Sequence, residues 1–588
     1  MLDLKPTPLN VTQEAAHKMP RFLLLALLSV FILSGLFGRD LWSSAESRLL
    51  AEVVSIDFSD PASWLFPFAS GEIITEQGPL PGWVGGIFTS LFSGLLGEIR
   101  ALRLSSILWF ALSTSCIWYG TWFLARRREA QPVEQAFARQ AQYRDFGRLI
   151  ADAATLFFIS LFGIVVKQHE AIFETAELAF SCAAFFGCCW ALTRPYWGSA
   201  LAGIACGASI LCSNLLVGAT VLAACLMSHI LVRGIGDTGR KILTTVGAAF
   251  ITFSLWPITA YLSAGVVAGD YFNLWAQHQI QIVGLFDPQE ILWFIKHFVW
   301  YLCPAWPFAF WAVWMWRGNL TVTHIALPVS FCCAWLVGFV LSSDVAAETL
   351  LSVMIAPMCV LAAFGLMACD RSTKSMLELF SVAIFTLALA GIWAYFLAWT
   401  FGFPPKMHWS IQRLTADESV SHAHWIAVLI AGVLLAFWLY LCIRRMMRRP
   451  IRFWTGPWLS ASGITVLWVS VVCLFGPVID SNRTYANIAR EMVQELKTMH
   501  FVPGVDCVSA QTLPLSERAA IERHSSITVT ASDASACRFV LSHVSAKQQG
   551  STNAKTAPGF VVLKSFRPRS DTRFLLGPVG SVLIETQH

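Results

Sequence analysis

Long apolar segments alternate with short polar connections along most of this chain. Runs of about 20 apolar residues predict membrane-spanning helices, because that length crosses the hydrocarbon core of a bilayer. Thirteen spans are predicted, at about residues 21–38, 101–125, 149–166, 171–193, 197–213, 215–233, 242–265, 295–316, 322–342, 346–368, 376–402, 423–443 and 458–478. A further segment, from Trp83 to Leu96, is short and rich in Gly and Ser, and we interpret it as a helix lying in the membrane interface.

Thirteen spans place the basic loops on one side of the membrane. These loops contain Arg126, Arg127 and Arg128; Arg233, Arg240 and Lys241; Arg371 and Lys374; and Arg444, Arg445, Arg448, Arg449 and Arg452. Because positive loops face the cytoplasm, the N-terminus is predicted to be cytoplasmic. The last segment of the chain then lies outside the cytoplasm. If the segment 83–96 also crossed the membrane, these loops could not all lie with the N-terminus.

The pattern changes near residue 480. Short β-branched or alternating runs predict strands at Val505–Val508, Ser526–Val529, Arg538–Leu541, Phe560–Leu563 and Phe574–Leu576, after a helix at Thr484–Met499. We therefore divide the chain into a transmembrane domain, residues 1–479, and a small α/β or α+β extramembrane domain, residues 480–588. Cys507 and Cys537 are the only cysteines of the second part. The sequence leaves open whether they form a disulfide or remain two buried free thiols.

Composition assigns the class. The 588 residues are 56% hydrophobic, with 25 Trp, 43 Phe and a mean hydropathy of +0.61. This is typical of an all-α polytopic membrane protein surrounded by membrane lipids. The net charge of +5 is small for this length and gives no reason to expect a nucleic-acid partner. Most cysteines lie in apolar segments, where they pack as small side chains.

The connection between the first two spans, residues 39–100, is unusually polar; we call it the first loop. Its acidic residues and one arginine are interleaved with tryptophans: Asp40, Glu46, Arg48, Glu52, Asp57, Asp60, Glu72 and Glu76, with Trp42, Trp64 and Trp83. Charged groups held at a membrane surface by indole rings indicate a functional site.

The order of motifs in this loop is informative. Glu46 and Arg48 are followed after about 30 residues by Glu76-Gln77-Gly78-Pro79-Leu80, and then by Trp83, Leu91-Phe92, Ala101, Arg103, Leu104 and Ser106. The order resembles the first external loop of the polyprenyl-phosphate-dependent sugar transferases of the GT-C superfamily, among them the lipid A aminoarabinose transferase and protein-mannosyltransferase-like family. The resemblance implies a GT-C-like fold, inverting glycosyl transfer, and a bacterial inner membrane location with a periplasmic C-terminal domain.

The resemblance and the chemistry together give candidate roles. A polyprenyl-phosphate donor leaves as an anion, and Arg48, with Gln77 and Asn214, is the predicted lipid-phosphate site. Catalytic carboxylates are predicted at Glu46, Asp40 and Glu177. Glu76 and His278 are candidate ligands of a divalent metal ion.

Each assignment has a structural alternative. Glu46 and Arg48 fit the solvated face of a short helix, and Asp40 fits an N-cap for the helix that begins near Ser43. His278 fits an ordinary interfacial histidine, because no second His or Cys stands at ligand spacing. Glu177, with Glu174 one turn earlier, fits a helix N-terminus.

Departures from the family motif leave two functions open. Ala45 stands where the family has Asp, Gln77-Gly78 where it has Lys-Pro, and Ser213-Asn214 where a Thr-Lys-Gly turn is expected. The first hypothesis is a membrane glycosyltransferase that moves a sugar from a polyprenyl-phosphate donor to a periplasm-facing acceptor, such as lipid A, another envelope glycolipid or a protein. The alternative is a catalytically degenerate relative that binds polyprenyl or glycolipid as a scaffold. The sugar, the acceptor and the oligomeric state stay open.

Overall fold

The computed structural model describes residues 7–9, 19–133, 141–232, 235–285, 287–288, 291–343, 347–414, 423–447, 454–531, 537–545, 561–563 and 572–578. Within them, each predicted span is a helix or a bent pair of helices. In chain order these are Arg21–Leu33, Glu98–Ala125, Tyr143–Ser160 with a 3-10 continuation to His169, Phe173–Ala191, Pro195–Cys212, Leu215–Leu231, Thr238–Ala264, Ile291–Tyr301 with Ala305–Met315, Thr323–Val340, Leu351–Ala368, Arg371–Phe401, Trp425–Met447 and Thr455–Arg483.

Eight of the described helices are long and apolar enough to cross a membrane, or ten spans if each bent pair counts as one. The helices Arg21–Leu33 and Leu215–Leu231 are apolar but shorter, as is Leu80–Leu96 in the first loop. The protein is therefore a multi-pass membrane protein. The basic residues Arg233, Arg448, Arg449 and Arg452, used above for its orientation, lie outside the described residues.

The main core lies between the central helices. Phe157, Phe158 and Phe364 are fully buried in it, as is most of the helix Leu351–Ala368. Most described cysteines of this part are buried free thiols, which agrees with a packing role. Helix-on-helix packing of this kind forms a rigid base for the loops at its end.

The C-terminal part contains a small mixed sheet. Its strand order is Val529–Thr530, Val508–Ser509, Phe539–Ser545, Thr572–Pro578 and Val561–Leu563; the first three strands are parallel and the last two pairings antiparallel. The helices Ala486–Thr498 and Leu515–Ser525 share a separate hydrophobic core with it. A disulfide joins Cys507 to Cys537, so the open question about these two cysteines is settled in favour of the bond.

The first loop is folded against both parts. It contains the helix Ser44–Ser55, which we call the loop helix, a short helix Pro61–Leu65, a hairpin of Phe68–Ala69 with Glu72–Ile73, and the helix Leu80–Leu96. The Ser43 hydroxyl accepts the N–H groups of Ala45 and Glu46, and so caps the loop helix. Asp40 is not the cap, so that alternative is wrong. The loop helix packs against Leu80–Leu96 on the membrane side and against Leu515–Ser525 of the C-terminal part.

Candidate functional site

Glu46 lies in a buried ion pair. Arg103 donates to both of its carboxylate oxygens, from Nε at 2.7 Å and from Nη2 at 2.8 Å, and the Ala171 N–H donates at 3.1 Å. Both side chains are fully buried. Burial alone would raise the pKa of Glu46, but the charge and hydrogen bonds of Arg103 hold it below its ordinary value. The solvated alternative for Glu46 is therefore wrong.

The remaining donors of Arg103 tie the pair to the backbone. They reach the carbonyl oxygens of Arg39 at 2.8 Å and Asp40 at 2.9 Å. Arg39 in turn donates to the carbonyl of His169 at 2.6 Å. Glu46 and Arg103 thus join the start of the first loop, the second span and the segment before Phe173–Ala191. With both oxygens engaged, Glu46 is placed to hold these segments together.

Arg48, two residues further on, has a different environment. It pairs with Glu76, whose side chain is 51% exposed, while that of Arg48 is 16% exposed. Gln77 follows Glu76 and is half-buried, and the Gly78 N–H donates to the Ser213 carbonyl at 3.2 Å. The predicted phosphate residues Arg48 and Gln77 are therefore at the place where the first loop meets the turn at Ser213.

Gly78 explains how these segments approach so closely. A Cβ at this position would overlap the backbone of Leu211, at the end of the helix Pro195–Cys212. Only glycine fits there. Asn214, on the same turn, is buried and caps the helix Leu215–Leu231, accepting the Val217 N–H at 2.9 Å. The structure thus gives the Asn214 oxygen a capping partner at the edge of the predicted phosphate site.

Three acidic residues from two segments, with a lysine from a third, converge beside this turn. Glu177 is fully buried and accepts a hydrogen bond from Ser352. Glu174 lies one turn earlier, and the Lys167 Nζ is 3.9 Å from its Oε1 and 3.0 Å from Oε1 of Glu348. We call Lys167, Glu174, Glu177 and Glu348 the acidic cluster. The Arg48 charge also acts on Glu174, more weakly than the charges of Lys167 and Glu348, so the cluster lies within electrostatic range of the predicted phosphate site.

Sequence reasoning missed Lys167 and Glu348, and it named Glu52 only among the acidic residues of the first loop, without a role of its own. Lys167 and Glu348 are 181 positions apart and meet only in the folded chain. Glu52 lies one turn after Arg48 on the loop helix and is nearly fully buried, against Gly82. Burial raises its pKa to about 8, although the nearby Arg48 charge acts in the opposite direction. The detectable signal was the i, i+4 spacing of Arg48 and Glu52.

The two candidate metal ligands do not make a fitting metal site. Glu76 is paired with Arg48, and His278 lies partly exposed on the helix Val266–Ile282. This helix contacts the first loop, because the Tyr271 hydroxyl donates a hydrogen bond to the Ile74 carbonyl at 2.8 Å. Within the described ranges, however, no three His, Cys, Asp or Glu side chains gather as a ligand group. No step below uses a metal ion.

Asp40, the third predicted carboxylate, lies at the junction with the C-terminal part. Its carboxylate accepts a hydrogen bond from Thr484 and is 3.4 Å from Nε2 of His524. Its backbone N–H donates to Asp480 at 3.1 Å. The structure therefore separates the three predicted carboxylates into a buried ion pair, a domain junction and the acidic cluster. Of the three, only Glu177 belongs to the group beside Arg48.

The same fold occurs in two crystal structures of ArnT from Cupriavidus metallidurans. One is bound to undecaprenyl phosphate, with a TM-score of 0.62, and the other is in the apo state, with a TM-score of 0.65. Each alignment is 16% identical and covers 96% of this chain and 99% of the ArnT chain. No protein-family model matches this chain, and no curated protein matches its sequence. At this identity the likeness concerns the fold: the chain is folded as ArnT is over nearly its whole length.

Proposed function

We propose that this protein is an integral membrane glycosyltransferase that takes a sugar from a polyprenyl-phosphate donor. The observation that carries the proposal is the near full-length likeness to a structure that holds undecaprenyl phosphate. Lipid-linked phosphate needs a cation close to the membrane surface, and Arg48 provides one on the first loop, at the edge of the acidic cluster. Fold alone does not fix an activity. The residues at this place therefore have to supply the chemistry.

In the proposed reaction an acceptor hydroxyl attacks the anomeric carbon from the face opposite the phosphate. The bond from that carbon to the phosphate oxygen breaks as the bond to the acceptor oxygen forms, and configuration inverts. The leaving polyprenyl phosphate gains negative charge, which the Arg48 guanidinium stabilises once it exchanges Glu76 for the phosphate. Gln77, which follows Glu76 in the chain, donates further hydrogen bonds to the phosphate.

The acceptor proton passes to a carboxylate of the acidic cluster. Glu174, whose side chain is 21% exposed, is assigned this role because the Arg48 charge acts on it. Glu177 is fully buried, and Glu348 is the most exposed carboxylate of the cluster, at 49%. Lys167 holds Glu174 and Glu348 in place from one ammonium group. In this assignment Glu46 and Asp40 position the first loop, and the proton transfer belongs to Glu174 with Glu177.

The disulfide supports the proposed orientation. Disulfides persist in oxidising compartments, and Cys507–Cys537 lies in the C-terminal domain. A periplasmic domain on a bacterial inner-membrane protein satisfies this condition and agrees with the positions of the basic loops. The acceptor would then be presented on the periplasmic side, as lipid A, another envelope glycolipid or a protein.

The deciding experiment is mass spectrometry of envelope glycolipids from cells with and without the protein. We expect one glycosyl-sized mass to disappear on deletion and to return with the wild-type chain, but not with Arg48→Ala or Glu174→Gln. Glu76→Gln is the matched control, since it removes only the resting partner of Arg48. Unchanged glycolipids and unchanged glycoproteins after deletion would contradict the proposal.

One observation favours the non-catalytic alternative. Of the two neighbouring acidic residues in the family motif, this chain retains only Glu46. Its carboxylate is held in the buried ion pair with Arg103. A scaffold that only binds a polyprenyl or glycolipid would keep Arg48 and have no use for the acidic cluster. Glu174→Gln separates the two functions: an enzyme loses transfer, whereas a scaffold keeps its lipid and its cellular effect.

A further inference from the structure

One helix of the C-terminal domain contacts the first loop at its beginning, its middle and its end. This helix is Leu515–Ser525, which we call the clamp helix. Ala520 and Ile521 on this helix pack in the hydrophobic core of the C-terminal domain. Its polar side chains are on the face turned away from that core. The contacts it makes are with parts of the loop that are far apart in sequence.

The central contact is between Arg518 and Glu72. Arg518 is 2% exposed and donates to the Glu72 carboxylate on the loop hairpin. On the same hairpin Ser70 donates to Glu522 at 2.6 Å. Gly71, at the hairpin tip, has a φ of +83° and lies so close to Thr530 that a Cβ would crowd its hydroxyl. Glu72 is 46% exposed, but Arg518 is not, so loss of this contact leaves a buried guanidinium without its carboxylate. The arginine side of the pair therefore holds the hairpin in place.

The other two contacts are at the ends of the loop. Arg523 pairs with Glu98 at 2.7 Å, where the loop enters the second span. His524 is 3.4 Å from Asp40, where the loop leaves the first span. Between these points the loop helix packs directly against the clamp helix. The element that carries Arg48 thus has the C-terminal domain on one side and the helix Leu80–Leu96 on the other.

We propose that the clamp helix sets the position of the first loop, with Arg518 as the principal positioning residue, so that the C-terminal domain is part of the machinery that places Arg48. The catalytic consequence rests on the proposed function, but the mechanical statement does not. Without the clamp, the loop keeps its anchor at Glu46 and Arg103 but loses the contacts that fix its hairpin and its helix.

The test is a charge swap across the contact in the full-length protein. Arg518→Glu and Glu72→Arg are made singly and together, and amide hydrogen exchange is measured over residues 44–76. We expect each single change to speed exchange in the loop about tenfold, and the double change to restore protection. Arg538→Glu is the matched control, because Arg538 pairs with Asp506 inside the C-terminal domain and does not reach the loop.

Domain misfolding is checked in the same samples. Exchange in the strand Phe539–Ser545 and formation of the Cys507–Cys537 disulfide report on the domain itself. If Arg518→Glu disturbs them, Glu72→Arg decides, because it alters only the loop side. Loop exchange equal to the wild type in Glu72→Arg would overturn the proposal.

A kinetic measurement separates positioning from a loss of folded protein. Displacement of Arg48 should raise the KM for the polyprenyl-phosphate donor several-fold and leave the KM for the acceptor unchanged, with recovery in the double variant. A loss of transfer that only follows the loss of folded protein, with kcat and the donor KM unchanged per folded molecule, would show that the contact only supports the fold. If the wild type transfers no sugar, the proposed function fails, and hydrogen exchange still decides whether the clamp exists.

Discussion

Two ion pairs start from the same helix, two residues apart, and differ in almost every respect. Glu46 and Arg103 are 0% exposed, and both carboxylate oxygens and the arginine donors have partners. Arg48 is 16% exposed and Glu76 is 51% exposed. A buried pair of this kind holds segments together, because breaking it leaves an uncompensated charge, whereas an open pair can exchange its partner at little cost. Proximity in a motif therefore does not imply a shared role.

The largest effect is expected from breaking the buried pair. Arg103→Ala removes both hydrogen bonds from Arg103 to the buried Glu46 carboxylate and leaves Arg39, at 3.7 Å, as its nearest cation. Removing one partner of a buried pair costs about 3–5 kcal/mol. We expect a strongly reduced yield of folded protein and a clearly lower melting temperature in detergent. A melting temperature equal to the wild type would mean that Glu46 is not the anchor we describe.

Opening the exposed pair should affect function without affecting the fold. Arg48→Ala removes a surface-accessible pair worth ~0–1 kcal/mol, so the melting temperature should barely change. Loss of a cation at the developing phosphate charge should lower sugar transfer on the order of a hundredfold. Transfer is measured in membranes with the native donor. Equal loss of stability in Arg48→Ala and Arg103→Ala would erase the contrast between the two pairs.

Glu52 offers a test of burial within the same helix. Burial raises its pKa to about 8, so the folded protein holds a proton that the unfolded chain has lost above pH 4.5. Stability therefore falls as pH rises from about 4.5 to about 8. Glu52→Gln should reduce the loss of melting temperature between pH 6 and pH 9, by roughly 2–4 °C for each kcal/mol. The same change of melting temperature with pH in variant and wild type would mean that the Glu52 carboxyl is solvated in the folded protein.

The smallest effect is expected at the pair of intermediate exposure, His524 with Asp40. Burial lowers the pKa of His524 below its ordinary value, although Asp40 acts in the opposite direction. The unfolded chain then binds the proton more readily, so stability is full above about pH 6.5 and falls as pH drops through the folded pKa. His524→Asn should flatten this part of the stability profile between pH 7 and pH 5. If stability fell more steeply with decreasing pH in the variant than in the wild type, the pKa of His524 would be raised in the folded protein, contrary to our assignment.

The helices could be predicted because apolar length is a local property. All thirteen predicted spans correspond to helices, and all five predicted C-terminal strands overlap strands of the described residues. The GT-C-like resemblance also rested on local order, and the fold agrees with it. These features depend on residues near one another in the chain.

The site depended on contacts that the sequence does not display. Glu46 looked like a catalytic carboxylate because its partner Arg103 is 57 positions away. Lys167 and Glu348 were missed because each has an ordinary surrounding sequence, and only folding brings them to Glu174. The N-cap at Asp40 was wrong because Ser43, adjacent to the helix, competes for the same N–H groups. Burial and partner choice are tertiary properties.

Gly78 has a consequence for how such a site can change. The transferase family that the first loop resembles has a lysine and a proline where this chain has Gln77 and Gly78, but a side chain at 78 would overlap the Leu211 backbone. The lysine and proline therefore cannot be introduced into this chain by exchanging those two residues alone. The turn that ends in Asn214 would have to be rebuilt in the same step, so the first loop and this turn can be redesigned only together.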